Sequence, residues 1–131
     1  MPTVVQGALF REGKILLVKQ HNRSKWTLPG GKPTEGEPLV ECLHKKIGKK
    51  LGGIALENER HHSDVLCFDP QVGFWKAKLY LADIKSNGTA VVPSGEVESL
   101  AWVSPAEVNN YALTSITRRI IEVLVAEGRF K

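Results

Sequence analysis

Gly31 to Gly53 reads GKPTEGEPLVECLHKKIGKKLGG, and the architecture follows from this stretch. Pro38 to Leu51 carries the pattern of an amphipathic helix. Pro38 suits a first turn, where a missing N–H costs nothing, and Gly52-Gly53 ends the helix. Val40, Leu43, Ile47 and Leu51 recur at helical spacing as one stripe facing a core. At about 100° per residue, Lys46, Lys49 and Lys50 group on a neighbouring face. That face lies beside the stripe, so the three ammoniums are expected at the rim of the core. Gly30-Gly31, just ahead of the helix, supplies backbone freedom that no other residue pair offers.

Upstream, Thr3 to Phe10 is apolar and β-branched and reads as a strand. Arg11-Glu12-Gly13 is a turn. Lys14 to Gln20 is a second strand, apolar through its middle and so expected to be buried on both faces. His21 to Lys25 is a polar loop. Trp26-Thr27-Leu28 is held extended by Pro29 behind it. Downstream, Ile54 to Phe68 contains one or two strands with a polar middle from Glu57 to Asp64. Asp69-Pro70 with Gly73 marks a hairpin turn. Phe74 to Ile84 and Val97 to Val103 are further strands, with a turn at Ser86-Asn87-Gly88 between them. Ser104-Pro105-Ala106-Glu107 has the form of a helix start. Thr114 to Glu127 is a longer helix with Ile116, Ile120 and Leu124 on one face. Strands with helices inserted between them, rather than strict alternation, predict an α+β (mixed α/β) fold.

The quoted stretch resembles the Nudix box, written G-x5-E-x7-R-E-U-x-E-E-x-G-U with U apolar. Gly31, Glu37, Ile47 and Gly52 sit at the family's positions. Lys45-Lys46 and Lys49-Lys50 stand where the family has its R-E and E-E pairs. The likeness covers nearly the whole chain, including W-T-L-P-G-G before the box and W-V-S-P-A-E-V after the last strand. It implies an α/β/α sandwich with a mixed central sheet, in one domain over residues 1–131. It also implies MutT-like pyrophosphohydrolase chemistry. In that family the helix glutamates hold Mg²⁺ or Mn²⁺, which grips a diphosphate and lowers the pKa of an attacking water.

Hard cations want carboxylate oxygens, and glutamates at i, i+3 and i+4 share a helix face. Here the family's catalytic positions are Lys46, Lys49 and Lys50, with Glu37 at the first glutamate. An ammonium has donors and no acceptor, so it cannot ligate a metal. At ~6 Å and an effective dielectric of ~20, each ammonium–Mg²⁺ pair costs about 5 kcal/mol before screening. The expectation is therefore a site without metal and with impaired hydrolysis. Charge runs on helices are usually solvated faces, which is one reading of these lysines; the other is a metal-free phosphate site, because lysine is a competent phosphate partner. The expected ligand site is Gly30, Gly31, Lys32, Lys45, Lys46, Lys49 and Lys50, binding a nucleotide or other pyrophosphate-containing small molecule.

The alternative is weak Mg²⁺- or Mn²⁺-dependent hydrolysis on remaining carboxylates: Glu37 and Glu41, with Glu35, in or near the box, and Glu96 and Glu98 before the last strand, with Glu57, Glu59 and Asp64 as further candidates. Against it, Glu96 and Glu98 are expected to pair with the box lysines. Glu37 also reads as an early-helix charge favoured by the helix dipole.

The 131-residue chain has a formal charge of +4 and a pI near 9.2. Glutamate at 46, 49 and 50 would make that charge −2, so the basicity is local to the box. There is no basic tail, helix-turn-helix spacing or aromatic ladder, which argues against a nucleic-acid binder. No apolar run approaches the ~18 residues of a membrane helix. The N-terminus lacks the pattern of a signal peptide. Cys42 and Cys67 stand in no C-x-x-C spacing and read as reduced, partly buried thiols of a cytoplasmic protein. His61 and His62 are adjacent on a strand and point to opposite faces. His44 is expected at the surface, away from the lysine face. Of the aromatics, Phe74 or Tyr80 is the candidate for stacking on a base. Ser104 reads as a cap, not a nucleophile.

Overall fold

The computed structural model describes residues 2–131. The elements in chain order are β1 (Thr3–Arg11), β2 (Lys14–Gln20), β3 (Gly30–Gly31), α1 (Leu39–Lys50), β4 (Leu56–Asp69), β5 (Gly73–Ile84), β6 (Val97–Val103) and α2 (Ser115–Ala126). The strands form one mixed sheet in the order β4-β5-β1-β2-β6, with β3 added against β1. β1 and β5 run parallel and the other pairs antiparallel. This is the expected α+β architecture with a mixed central sheet.

The sheet separates two cores. Ala8, Leu17, Leu79, Ile120 and Leu124 pack on the α2 side. Val5, Leu9, Leu16, Leu43, Ile47 and Tyr80 pack on the α1 side. Alternate residues of β1 and β2 serve the two cores, so both strands are apolar at successive positions. Ile15 to Val18 are fully buried, as expected.

β1 and β2 pair only beside their turn, at Phe10–Ile15 and Arg11–Lys14. Beyond it the strands splay, and the segment from Trp26 to Gly31 fills the wedge. Thr27 pairs with Val18, the Gly7 amide donates to the Pro29 carbonyl at 2.9 Å, and Gly30-Gly31 pairs with Gln6 and Val5. Gly30 has φ +155°, and a Cβ there would lie 2.0 Å from the Val5 carbonyl oxygen. No other residue fits. The same segment anchors the start of α2: the Thr27 and Thr117 hydroxyls are 2.9 Å apart, and the Thr114 side chain caps the Thr117 amide.

Several local expectations change. Pro38 is the N-cap of α1 rather than a residue of its first turn; its carbonyl accepts from the Cys42 amide at 3.0 Å. Val40 is exposed, and Cys42 takes its place in the buried face. Cys42 shares its side of α1 with the half-buried Lys46, one turn on, so the covered face is broader on that side than the predicted stripe. Residues 56–69 form one strand, with irregular pairing to β5 between Glu57 and Arg60 and between His61 and Ser63. Ser104–Glu107 is a turn leading to a single 3₁₀ turn at Val108–Asn110. There the Glu107 carboxylate accepts from the Ser104 hydroxyl at 2.8 Å and from its amide at 3.2 Å.

Candidate functional site: a lysine-lined glycine loop and its adjoining cavity

The C-terminal half of α1 lies against Gly30-Gly31, which brings two of the three lysines to that loop. The Lys50 ammonium donates to the Gly30 carbonyl at 2.5 Å. The Lys46 stem packs on Gly31, where a Cβ would meet Lys46 Cδ at 3.0 Å and Cγ at 3.1 Å. Both lysines are half-buried; Lys49 is exposed. The grouping of three is therefore corrected to a pair. Positions i and i+4 lie one above the other on a helix, while i+3 falls to one side.

The Lys50 amine has its pKa pushed below the ordinary lysine value, first by burial and also by the Lys46 charge, against the opposing pull of Glu96. A burial cost of this sign means that the site disfavours a second cation without a compensating anion.

The end of α1 is held by the loop ahead of β6. The Ser94 hydroxyl donates to the Lys49 carbonyl at 2.6 Å and accepts from the Gly52 amide at 2.8 Å. The Ser94 amide donates to the Lys50 carbonyl at 3.0 Å. This strap sets the position of Glu96 near Lys50. The ion pairs expected between Glu96, Glu98 and the box lysines do not form, however. Glu98 pairs with Lys19 at 2.8 Å, because β2 and β6 are neighbours and the two side chains emerge together.

Glu37 lies ahead of α1, and its carboxylate accepts from the Thr34 amide at 3.0 Å and from the Thr34 hydroxyl at 3.3 Å. Lys45 approaches it at 3.8 Å. The Thr34 amide is the main cause that holds the Glu37 carboxyl below the usual carboxylate range. Glu41 is exposed on α1. Among the described residues, no group of three or more His, Cys, Asp and Glu side chains comes together as a cation site.

The remaining candidates have other partners. His44 is half-buried rather than free at the surface, and its ring lies 3.0 Å from Glu59. His61 faces Asp64 at 2.8 Å and His62 faces Glu127 at 2.6 Å, on opposite sides of the sheet as expected. Asp64 also takes Lys78 at 2.6 Å. Phe74 is exposed and stacks with Phe68 at 5.1 Å between ring centroids. Tyr80 is buried beneath His61. Neither lines the cavity beside the ligand loop described below. Cys42 is buried and Cys67 half-buried, both as free thiols; burial pushes both thiols up.

A cavity of about 400 Å³ opens on the α2 side of the sheet, lined by Val4 and Gln6 of β1, Trp75 of β5, Cys67 of β4 and Thr114 at the start of α2. Gln6 and Gly30 are paired across β1 and β3. The cavity therefore lies on one side of Gly30 and the Lys50 amine on the other. Lys32, next to Gly31, places its ammonium 5.1 Å from the centre of the Trp75 ring. This cavity has little local signal in the chain. It is built from residues of distant elements, and only the alternation along β1, which turns Val4 and Gln6 to one face, hints at it.

The NUDIX domain model matches residues 1–124. The nucleoside triphosphatase NudI of Escherichia coli O139:H28 is 26% identical over 92% of this chain and 94% of its own length. A MutT NUDIX hydrolase of Burkholderia pseudomallei superposes with a TM-score of 0.74 at 31% identity, over 92% of this chain and 95% of that one. The NUDIX domain of Shewanella oneidensis NrtR, solved with ADP ribose, superposes with a TM-score of 0.76 at 22% identity, over 97% of this chain and 88% of that one.

Proposed function

This chain belongs to the Nudix family, and from that premise we propose that it binds a nucleotide or other pyrophosphate-containing molecule at Gly30-Gly31 without a divalent metal. We further propose that it is catalytically impaired. The observation that carries this reading is the Lys50 ammonium, half-buried and bonded to the Gly30 carbonyl beside the Lys46 stem. A carbonyl that accepts from an ammonium already has its cation, and it is supplied by the chain.

The donor set does not fit Mg²⁺ or Mn²⁺. The lysines at the family's ligand positions offer no lone pair when charged. Glu37 is held by Thr34, and Glu98 by Lys19. No step is therefore assigned to a metal. A diphosphate at the loop would take the positive charge of Lys46 and Lys50, with Lys32 within reach from Trp75. Charged hydrogen bonds contribute about 1.5–3 kcal/mol each. Two of them support a Kd of roughly 0.05–5 mM before the cost of association.

The chemistry of the relatives guides the choice of probe. The NrtR domain holds ADP ribose and NudI is a nucleoside triphosphatase, so ADP, ADP ribose and nucleoside triphosphates form the panel. The expected result is binding that survives EDTA, with no turnover. A second reading, weak metal-dependent hydrolysis, draws on the proximity of Glu96 to Lys50. Turnover by the unaltered protein that EDTA abolishes would establish it and overturn the first.

A further inference from the structure

Leu66, Phe68, Val72 and Phe74 are large apolar side chains, each more than half exposed, and all four fall in the hairpin that joins β4 to β5. Leu66 and Phe68 share one face of β4, and Phe68 stacks on Phe74, its partner in β5. Folding leaves this cluster in water, and contiguous exposed apolar surface of this kind marks a contact with another molecule. The strand that carries it is open as well. β4 ends the sheet and pairs with β5 alone. The first half of its edge is blunted. Its register with β5 shifts between Glu57 and Arg60 and again between His61 and Ser63, and bulges and charges discourage further pairing. From Ser63 to Asp69 the register is regular, and Val65 to Phe68 carries neither charge nor proline. A flat, apolar edge is a template for another strand.

We propose that this edge receives the same segment of a second copy. The chain forms a reversible twofold dimer in which the β4 edges pair antiparallel about Cys67, with Leu66 of each copy opposite Phe68 of the other. Charge selects this arrangement. Asp64 and Asp69 flank the uncharged run. Parallel, in-register pairing would set each aspartate against its own counterpart, and like charges directly opposite are destabilising. Pairing antiparallel about Cys67 sets Asp64 opposite Pro70 and Asp69 opposite Val65, so the acids avoid one another. The same register is self-complementary, as a twofold contact must be. It joins the apolar clusters of the two copies, because Leu66 and Phe68 point to one face and each is backed in β5, by Lys76 and Phe74. Size sets the strength. Two half-exposed phenylalanines, at roughly 200 Å² each, and the two aliphatic side chains present about 400 Å² of apolar surface. A specific interface begins near ~600 Å² per copy, and the paired strand edges supply the remainder. The contact is therefore of the weak, reversible class.

The test is analytical ultracentrifugation of the unaltered chain, Phe68→Glu and Val125→Glu over a concentration series up to about 1 mM, under reducing conditions. Val125 is also exposed, but it lies on α2 away from the hairpin and serves as the control. The expected result is a monomer–dimer equilibrium with a Kd on the order of 100 μM, as fits an interface at the small end of the range. Phe68→Glu weakens it at least tenfold and Val125→Glu leaves it within twofold. Circular dichroism checks that the variants fold; if Phe68→Glu does not, Leu66→Glu reads the same face. The register has its own readout. Directly opposite residues of antiparallel strands have Cα atoms about 4.5–5.5 Å apart, within reach of a disulfide. Oxidation of the concentrated protein with diamide should therefore give a covalent dimer through Cys67. Cys42 is fully buried and takes no part, so Cys67→Ser abolishes the product.

A chain that stays monomeric throughout the series overturns the dimer. A dimer that Phe68→Glu leaves intact, or that Val125→Glu weakens equally, overturns the hairpin as its contact surface. A dimer that depends on Phe68 and yields no Cys67 crosslink overturns the antiparallel register about Cys67.

Discussion

Gly30→Ala tests the packing that brings α1 to the ligand loop. The added Cβ would lie 2.0 Å from the Val5 carbonyl oxygen and 2.9 Å from Gln6 Cα, where ordinary contact begins near 3.4 Å. Both obstacles are backbone, so neither can swing aside. β3 has to move away from β1 by more than an ångström. That strains a φ of +155° and loosens the Lys50 bond to Gly30. Strain of this kind costs about 1–3 kcal/mol and the charged hydrogen bond about 1.5–3 kcal/mol. The combined expectation is about 4 kcal/mol. With a urea slope of ~2 kcal/mol per molar, the unfolding midpoint falls by roughly 2 M.

Gly13→Ala is the control. Gly13 also has a positive φ, +77°, but open space around it. The left-handed conformation alone costs about 1–2 kcal/mol, a midpoint loss of roughly 0.5–1 M. Urea unfolding of both variants by circular dichroism separates the steric part from the conformational part. Equal midpoint losses would refute the close approach of β3 to β1.

Stability should rise with pH in the alkaline range. The folded Lys50 pKa is depressed, so between that value and the ordinary one of about 10.4 the unfolded chain binds more protons and loses stability relative to the fold. Lys50→Met should flatten this limb of a denaturation series; an unchanged limb counts against burial as its cause. Glu37 acts in the same sense at the acid end: its carboxyl is depressed by Thr34, so the stabilisation is present above the ordinary carboxylate range and is lost as pH falls through the folded value. Glu37→Gln should remove that part of the acid limb, and urea midpoints from pH 3 to 6 read it directly. Lys46→Glu, Lys49→Glu and Lys50→Glu combined should create Mn²⁺ binding detectable by electron paramagnetic resonance; a folded triple variant that binds none breaks the correspondence with the family's ligand positions.

The architecture was legible because its signals are local. Alternation and β-branching marked β1, the continuous apolar run marked β2, and Gly52-Gly53 marked the end of α1. Box spacing from Gly31 to Gly52 placed the glycine loop beside the helix. The misread parts depend on contacts between distant segments. Val40 has the right helical phase within error, and only the seating of α1 on the sheet decides that Cys42 is buried instead. Lys46 and Lys50 separate from Lys49 for the same reason. Glu98 meets Lys19 because β2 and β6 are adjacent, and strand order is not written in either segment. The cavity lined by Trp75 and Gln6 has no local mark either. It exists only once the parallel pairing of β1 with β5 puts them on one face of the sheet.

Isothermal titration calorimetry of pyrophosphate in EDTA, with the unaltered protein and with Lys46→Gln/Lys50→Gln, bears most directly on the lysine site. Pyrophosphate should bind in the millimolar range or tighter, and the double variant should lose at least tenfold in affinity. Absence of binding at several millimolar ligand, or equal binding by the double variant, would contradict a phosphate site built from these two ammoniums.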